Sequence, residues 1–279
     1  MYENRIRDRL VEHGEVLFKA PHKFAHFTKH DAADCLLNDL AHHPHAFVLA
    51  SIMDQQIKAE RAWLIPFLLK EKLGSFTMDT LLNQSEPDVR RLMTEPECLH
   101  RFVDRMAGFF FRAVQRIAHQ YNSDASLIWN DRPSSATVVY RFLEFDGVGP
   151  KIASMAANIL ARDFKVEFSD YFSIDISADV HVRRVFGRLG LTSPDASVDQ
   201  LIFRARGLHP EFPGLMDFPA WEIGRNWCRP KNPECGKCYM NDLCRLPTNG
   251  TANQLVQRTG ASRSAQSEIP TSSAAGSRR

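Results

Sequence analysis

Long apolar runs are missing from this sequence. A helix needs roughly 18 apolar residues in a row to span a bilayer, and no stretch of the chain approaches that length. The start MYENRIRDRLVEHGE is acidic and contains arginine, so it also lacks the apolar core of a secretory signal peptide. We therefore expect a cytoplasmic protein with no membrane partner.

Excess charge of either sign is also small. The formal net charge is +2, and four arginines and one glutamate between Pro247 and Arg279 contribute +3 of it. The rest of the chain therefore carries a charge of −1. The net charge does not by itself predict nucleic-acid binding. Any surface that binds nucleic acid must therefore be a local cluster of positive charge.

Cysteine is scarce, with six in 279 residues, which is too few for a disulfide scaffold of this size. Four of the six fall within the seventeen positions from Cys228 to Cys244. Cys35 and Cys98 stand apart in mixed helical patterns, and we expect both to be small buried hydrophobic residues.

Alternation of the strand type is nearly absent. From Tyr2 to Leu143 the apolar spacing predicts a series of helices joined by short loops. The breaks fall at Pro44, Gly74, Pro87 and Pro133. Residues 164–176 alternate only briefly, and we interpret them as a long loop. The sequence therefore predicts an all-α fold.

A hydrophobic content of 44% is enough for a substantial core. After Leu246 the chain consists mainly of Ser, Thr, Ala, Gly, Gln and Arg, with no aromatic residue. Such a segment buries too little apolar surface to order itself, so residues 247–279 are predicted to be a disordered tail.

The clustered cysteines form the pattern C-x6-C-x2-C-x5-C. Four thiolates so close in sequence require a cation, and the alternatives are a structural zinc ion and a [4Fe–4S] cluster. Zinc sites usually join two CxxC pairs across a longer spacer, whereas this pattern has one CxxC between two unequal loops. The iron–sulfur cluster is favoured. The predicted ligands are Cys228, Cys235, Cys238 and Cys244.

A second motif, FDGVGPK, lies between two helical patterns and predicts a helix-hairpin-helix. Glycine at 147 and 149 tolerates positive φ, which lets backbone N–H groups at the start of the second helix converge on a phosphate. Val148 is expected to pack beneath the turn. On its own, a GVG turn is a weak signal for nucleic-acid binding.

The two motifs together resemble the helix-hairpin-helix (HhH-GPD) DNA glycosylase superfamily, and within it the endonuclease III type. The cysteine spacing is similar to the family's iron–sulfur loop, and FDGVGPK resembles its LPGVGxK hairpin. The resemblance spans roughly residues 45–246. It implies two helical domains flanking a DNA-binding cleft, and a [4Fe–4S] cluster that contacts DNA without performing the base chemistry.

The resemblance also suggests a domain division. Residues 1–44 would be a helical extension that packs with the cluster domain, and residues 45–163 a helical barrel domain carrying the hairpin. Residues 164–246 would hold the catalytic aspartate and the iron–sulfur cluster.

Lys151 occupies the hairpin position at which lysine, in the lyase-competent branch of the family, attacks the sugar C1′. An amine attacks only after losing its proton, and the positive end of the helix dipole disfavours the ammonium. A lysine that only binds phosphate is the alternative.

The segment ADVHVRRV resembles the family's VDTHIxRV, which places Asp179 at the catalytic aspartate. From the residues alone, Asp179 is also a good N-cap for the helix that follows. Because the segment from Lys151 to Asp179 is longer than usual in the family, Asp170 or Asp175 is a possible intruder in the pocket. His181 and Arg184 match motif positions for phosphate contact or support of the site.

The segment IMDQQI resembles the family's loop that fills the gap left by a flipped nucleotide, with Gln55 or Gln56 as the wedge. The adenine-specific branch carries a glutamate at the position of Ser51, so adenine excision is disfavoured. The cysteine-loop cations Arg229, Lys231 and Lys237 face either phosphate or solvent.

The combined expectation is a monomeric base-excision-repair DNA glycosylase with associated lyase activity, associated with the nucleoid. Its partner would be double-stranded DNA with a damaged, modified or mismatched base, by default an oxidised pyrimidine. The alternatives are a monofunctional glycosylase, a non-catalytic binder of distorted DNA, and a zinc-stabilised DNA-binding module.

Overall fold

The computed structural model describes residues 2–245 and contains twelve α-helices and no β-strand in that part of the chain. The all-α prediction is confirmed, while the predicted tail at 247–279 lies outside the described residues. The helices are α1 Tyr2–Lys19, α2 Asp31–Asn38, α3 Pro44–Met53, α4 Ala59–Leu73, α5 Met78–Leu82, α6 Glu86–Thr94, α7 Val103–Gln120, α8 Ser135–Leu143, α9 Pro150–Arg162, α10 Val180–Leu189, α11 Val198–Leu208 and α12 Asp217–Asn226. Short 3-10 turns lie at Ala125–Ile128, Pro213–Met216, Cys235–Lys237 and Asn241–Leu243.

The breaks predicted from the sequence coincide with helix ends. Pro44 and Pro87 lie in the first turns of α3 and α6, where proline lacks only an N–H that has no partner within the helix. Gly74 ends α4 in a left-handed conformation with φ 74°. Ser85 starts α6 with a capping box that includes Asp88.

The larger hydrophobic core is built around α3. All ten residues of this helix are buried, which explains why PHAFVLASIM shows no polar face. Helices α2, α4, α7 and α9 pack against α3. The C-terminal end of α3 is therefore held firmly in the middle of this core.

The smaller core joins the beginning of the chain to the cysteine loop. Ile6 and Leu10 of α1 are buried with apolar residues of α10, α11 and α12. The Tyr2 hydroxyl donates to the Leu243 carbonyl, and the Arg9 guanidinium pairs with Asp242. Helix α1 therefore packs in the same core as Cys228, Cys238 and Cys244.

The segment between α9 and α10 contains no helix, as the loop prediction stated. The prediction that Cys35 and Cys98 are buried is wrong, because both are exposed. In the eight-residue α2, the buried face consists of Ala33, Asp34, Leu36 and Leu37, which leaves Cys35 on the outer side. Cys98 lies in a loop between α6 and α7. No helix within residues 2–245 is long and apolar enough to cross a membrane.

Candidate active site and cysteine cluster

The hairpin between α8 and α9 is shaped by one glycine. Gly147 has φ 81°, and a Cβ added there would lie 2.3 Å from the Phe109 ring of α7. Only glycine satisfies both the conformation and this close approach. Gly149 differs from the expectation, since its φ is −106° and nothing lies within 4 Å of a Cβ added there. Val148 packs partly buried against the larger core, as predicted.

A row of arginines on α7 lies beside this hairpin. The Arg105 guanidinium lies over the rings of Phe102 and Phe109, with carbon-to-centroid distances of 5.1 and 5.9 Å. The Arg112 guanidinium lies over Phe109 and pairs with Asp146 of the hairpin. The charge of Arg112 is offset by Asp146, whereas the rings of Phe102 and Phe109 hold Arg105 in place without neutralising it. Arg105 therefore supplies a local positive charge next to the hairpin.

Lys151 projects from the first turn of α9. Its side chain is 42% exposed, and its Nζ lies 3.8 Å from Oδ2 of Asp54. The amine therefore faces the C-terminal end of α3, where the loop bearing Gln55 and Gln56 begins.

Asp179 is the N-cap of α10. Its Oδ1 accepts from the backbone N–H groups of His181 and Val182, both at 2.8 Å. The capping role inferred from the residues is present, and the residue before it, Ala178, has an unusual φ of 28°. The turn into α10 is thus held in a conformation that fixes where the Asp179 carboxylate points.

The charges of Lys151 and Asp179 both act on the carboxylate of Asp54. Its side chain is only 11% exposed, and burial raises its pKa. The Lys151 ammonium and a hydrogen bond from Trp63 oppose this rise in pKa, while the negative charges of Asp179 and Glu60 add to it. Lys151 and Asp179 therefore have opposite effects on the pKa of one buried carboxylate.

Asp54 was not among the site residues predicted from the sequence. Within the segment IMDQQI, only Gln55 and Gln56 match the family's wedge position. The sequence did contain a signal for Asp54. It is an acidic residue at the end of a helix that has no polar face, and burying an unpaired carboxylate there is costly.

A second buried acid supports the turn that carries Asp179. The Asp217 carboxylate accepts from the backbone N–H of Ser177 at 2.6 Å and from its hydroxyl at 2.8 Å. Complete burial raises the pKa of Asp217 to about 6, and the charge of Asp179 adds to this. Asp217 therefore anchors the backbone two residues before the candidate catalytic aspartate.

The two acids that were considered as intruders have other partners. Asp170 accepts a hydrogen bond from the Ser135 hydroxyl, and both Asp175 oxygens accept from Arg206 at 2.8 Å. These contacts hold each carboxylate in place, and neither is to Lys151. The long segment between Lys151 and Asp179 is therefore held by contacts with Ser135 and Arg206.

The two glutamines of the wedge loop differ in their availability. The Gln55 amide donates to the Ile52 carbonyl at 2.8 Å and is partly buried. Gln56 is exposed and has a left-handed φ of 55°. Ser51 stands where the adenine-specific branch carries a glutamate, and its buried hydroxyl donates to the Phe47 carbonyl.

His181 and Arg184 connect α10 to the cysteine loop. The Arg184 guanidinium donates to the carbonyls of Cys228 and Gly224, at 2.6 and 2.8 Å, and lies 3.0 Å from Nδ1 of His181. Because these contacts occupy its guanidinium, Arg184 is better placed to hold α10 against the cysteine loop than to bind phosphate. The loop cations Arg229 and Lys237 both pair with Glu234.

The four clustered cysteines are partly buried, and none forms a disulfide. Burial raises the pKa of the Cys238 thiol, and the other three cysteines raise it further, so all four interact electrostatically. The Arg188 guanidinium donates to the Cys228 sulfur at 3.3 Å. Cys228, Cys238 and Cys244 also pack against the smaller core.

Two kinds of group could be held by four thiolates, and they require different arrangements of the sulfur atoms. Within residues 2–245, no three His, Cys, Asp or Glu side chains are arranged to hold a single metal ion. Four thiolates on zinc would all lie about 2.3 Å from one centre. A [4Fe–4S] cluster needs the same four thiolates arranged around a larger group.

A family model described as "HhH-GPD superfamily base excision DNA repair protein" matches residues 49–210. This match spans more than half of the chain. The chain therefore belongs to the HhH-GPD superfamily of base excision DNA repair proteins, and it is a DNA glycosylase of that class.

Solved structures show the same fold. A trapped endonuclease III–DNA covalent intermediate and a non-covalent endonuclease III–DNA complex each align with a TM-score of 0.59 and 19% identity, covering 87% of this chain and 95% of the other. A thermostable thymine-DNA glycosylase aligns with a TM-score of 0.57 and 14% identity, covering 87% and 96%. No curated protein matches the chain.

Proposed function

We propose that this glycosylase removes a damaged or modified base and then cleaves the strand at the abasic site, with Lys151 as nucleophile and Asp179 as the stabilising carboxylate. The observation that carries the proposal is the position of the Lys151 amine. It projects from the first turn after the hairpin, 3.8 Å from a carboxylate that also experiences the charge of Asp179.

The target nucleotide must first leave the stack, because a base inside a duplex is out of reach of Lys151. Flipping costs about a few kcal/mol, least at a damaged or mismatched pair. Gln56 is the better wedge of the two glutamines, since it is exposed while the Gln55 amide bonds back to α3. The arginines of α7 and the hairpin N–H groups bind the phosphates on either side.

The neutral Lys151 amine then attacks C1′ of the sugar. Its lone pair forms the new C–N bond, the glycosidic bond breaks, and that electron pair leaves with the base, which takes up a proton. The Asp179 carboxylate stabilises the positive charge that develops on the sugar. The nitrogen then loses a proton, the C1′–O4′ bond breaks and O4′ takes up a proton, which leaves an imine between Lys151 and the opened sugar. Loss of a C2′ proton from this imine permits elimination of the 3′ phosphate.

Oxidised pyrimidines are the proposed substrates, because two of the similar structures are endonuclease III complexes and no acid stands at position 51. A monofunctional glycosylase acting on a mismatched or modified base is the second candidate. The similarity to a thymine-DNA glycosylase favours it. A panel of duplexes, each with one modified or mismatched base, separates these substrates.

Cys228, Cys235, Cys238 and Cys244 are proposed to hold a [4Fe–4S] cluster. When bound, the cluster supplies a structural cross-link among four thiolates, and base excision does not use its redox chemistry. Arg188 orients the loop by donating to the Cys228 sulfur and to the carbonyls of Arg229 and Pro230. Anaerobically purified protein should contain about four irons per chain, and zinc without iron would contradict the assignment.

Borohydride trapping on an abasic duplex tests Lys151. The variant Lys151→Gln should form no covalent complex, because the amide cannot make an imine that borohydride reduces, and it should still bind the duplex. A matched control is Lys19→Gln, which removes an exposed lysine paired with Glu15 on α1 and should trap like the wild type.

Two outcomes would contradict the proposal. Trapping by Lys151→Gln would remove this lysine from its role. Wild-type protein that binds the abasic duplex, but neither cleaves it nor forms a trapped complex, would favour a monofunctional enzyme or a binder of distorted DNA.

A further inference from the structure

Asp54 is held firmly beside the amine of Lys151. It is the C-cap of α3, and its backbone N–H donates to the Ser51 carbonyl at 3.2 Å. The Trp63 side chain acts on the Asp54 carboxylate as a hydrogen-bond partner that lowers its pKa. Trp63 is itself fixed, because the Phe27 ring stacks on it with centroids 4.4 Å apart. The 3.8 Å contact to Nζ of Lys151 therefore involves a rigidly placed carboxylate.

A nucleophilic lysine needs a group that removes its proton. At neutral pH a lysine amine is mostly protonated, and an ammonium has no lone pair with which to attack C1′. A general base must lie within hydrogen-bonding reach of the proton that it removes, although such contacts are often longer before the substrate binds.

Asp179 is poorly suited to that task. Its Oδ1 is already engaged by two backbone N–H bonds at the start of α10. A carboxylate fixed in this way suits the stabilisation of a cationic sugar.

We propose that Asp54 is a further catalytic residue of this site, the general base that accepts the proton of the Lys151 ammonium before attack on C1′. The inference rests on the proposed function of Lys151. The step balances as transfer of one proton, in which the ammonium and the Asp54 carboxylate become a neutral amine and a neutral carboxylic acid. The amine lone pair is then free to form the bond to C1′.

The surroundings of Asp54 support this division of labour. Burial, together with the negative charges of Asp179 and Glu60, raises the pKa of Asp54, which makes the carboxylate a stronger base. The Lys151 ammonium and the Trp63 hydrogen bond oppose the rise in pKa. Loss of the lysine proton removes one of these opposing influences, which raises the pKa of Asp54 further once the proton has been transferred.

Single-turnover trapping on an abasic duplex, measured across pH, tests the proposal. In Asp54→Asn the trapping rate near neutral pH should fall about 100-fold, which is typical for loss of a general base. The rate should recover as the pH is raised, because solvent then deprotonates the lysine. The acid limb of the pH–rate profile that Asp54 causes in the wild type should be absent.

Asp199→Asn is the matched control. It makes the same Asp-to-Asn change at an exposed carboxylate in the first turn of α11. We expect its trapping rate to stay within about twofold of wild type, because it makes no proton transfer.

A second variant keeps the test decisive if Asp54→Asn folds poorly. Trp63→Phe removes the hydrogen bond that stabilises the Asp54 carboxylate, so the acid limb of the profile should move to higher pH. Binding to a duplex with a non-cleavable abasic analogue confirms that each variant is folded.

The outcomes separate the two proposals. Wild-type protein that never traps overturns the role of Lys151. If the wild type traps, and Asp54→Asn traps at the same rate with the same pH profile, the base is not Asp54, and the proposed function stands without it. An acid limb that does not move in Trp63→Phe would also overturn the role of Asp54.

Discussion

Single buried carboxylates set the electrostatics of this site. Asp54 and Asp217 are both acidic residues whose pKa is raised by burial, and both experience the charge of Asp179. Such groups cost stability when ionised, and proteins usually retain them where they serve a function. The charge of Asp179 therefore acts on two buried acids, Asp54 and Asp217.

Asp217 makes the stability of the protein depend on pH. Its pKa is about 6 in the folded protein against an ordinary value of 3.8, so folding favours the protonated form. This contribution is fully present below about pH 4 and is lost as the pH rises through about 6. The shift of roughly two units corresponds to about 3 kcal/mol in the free energy of unfolding.

We expect Asp217→Asn to remove this dependence, since the amide is never charged and its oxygen still accepts from Ser177. The gain in stability over the wild type should grow between pH 4 and pH 6 and then level off. Urea unfolding at a series of pH values measures it, with the exposed Asp199→Asn as the control. A difference that is the same at every pH would contradict the assignment.

At the scale of elements, the hairpin depends on the contact between Gly147 and α7. Gly147→Ala would place a methyl group 2.3 Å from the Phe109 ring and force φ near 81° on an alanine. Strain of this kind costs about 2–4 kcal/mol when both effects act together. Thermal unfolding should show the corresponding loss of stability.

Gly149→Ala is the natural comparison, because φ is ordinary there and a Cβ meets nothing within 4 Å. Its stability should stay within about 1 kcal/mol of wild type. Equal stability of the two variants would show that the hairpin is not held against Phe109 as described.

Helix positions were largely predictable because their ends carry local signals. Proline in first turns and glycine at Gly74 mark the boundaries without any tertiary information. The all-helical fold follows from the 3.6-residue spacing, while the iron–sulfur loop favoured by the cysteine pattern stays a prediction.

Tertiary contacts were not predictable in the same way. Asp54 and Lys151 lie 97 positions apart, and nothing in either segment encodes the packing of α3 against α9 that joins them. The exposure of Cys35 and the partners of Asp170 and Asp175 likewise depend on which helix face meets which neighbour. Local patterns identify which residues are candidates, whereas packing decides their contacts.

At the scale of the whole described chain, the cysteine loop stabilises only one of the two cores. Cys228, Cys238 and Cys244 pack against the smaller core with α1, α10 and α12, while the larger core around α3 has no such contact with them. If the cysteines hold a cluster, its loss should loosen the smaller core selectively.

Hydrogen exchange before and after iron chelation measures this effect. Amides of α1, α10 and α12 should lose protection, while those of α3 and α7 should keep most of theirs. The variant Cys98→Ser, which changes an exposed cysteine outside the cluster, should exchange like the wild type. Uniform loss of protection across both cores would contradict separate stabilisation.

The contact between Tyr2 and Leu243 spans 241 positions of the chain, and it has a consequence for biosynthesis. At about 5–20 residues per second, α1 leaves the ribosome roughly 10–50 seconds before its partners in the smaller core exist. Through that interval Ile6 and Leu10 remain uncovered, while the larger core already has its own helices. A nascent chain stalled before residue 180, where α10 begins, therefore exposes the apolar face of α1 to chaperones.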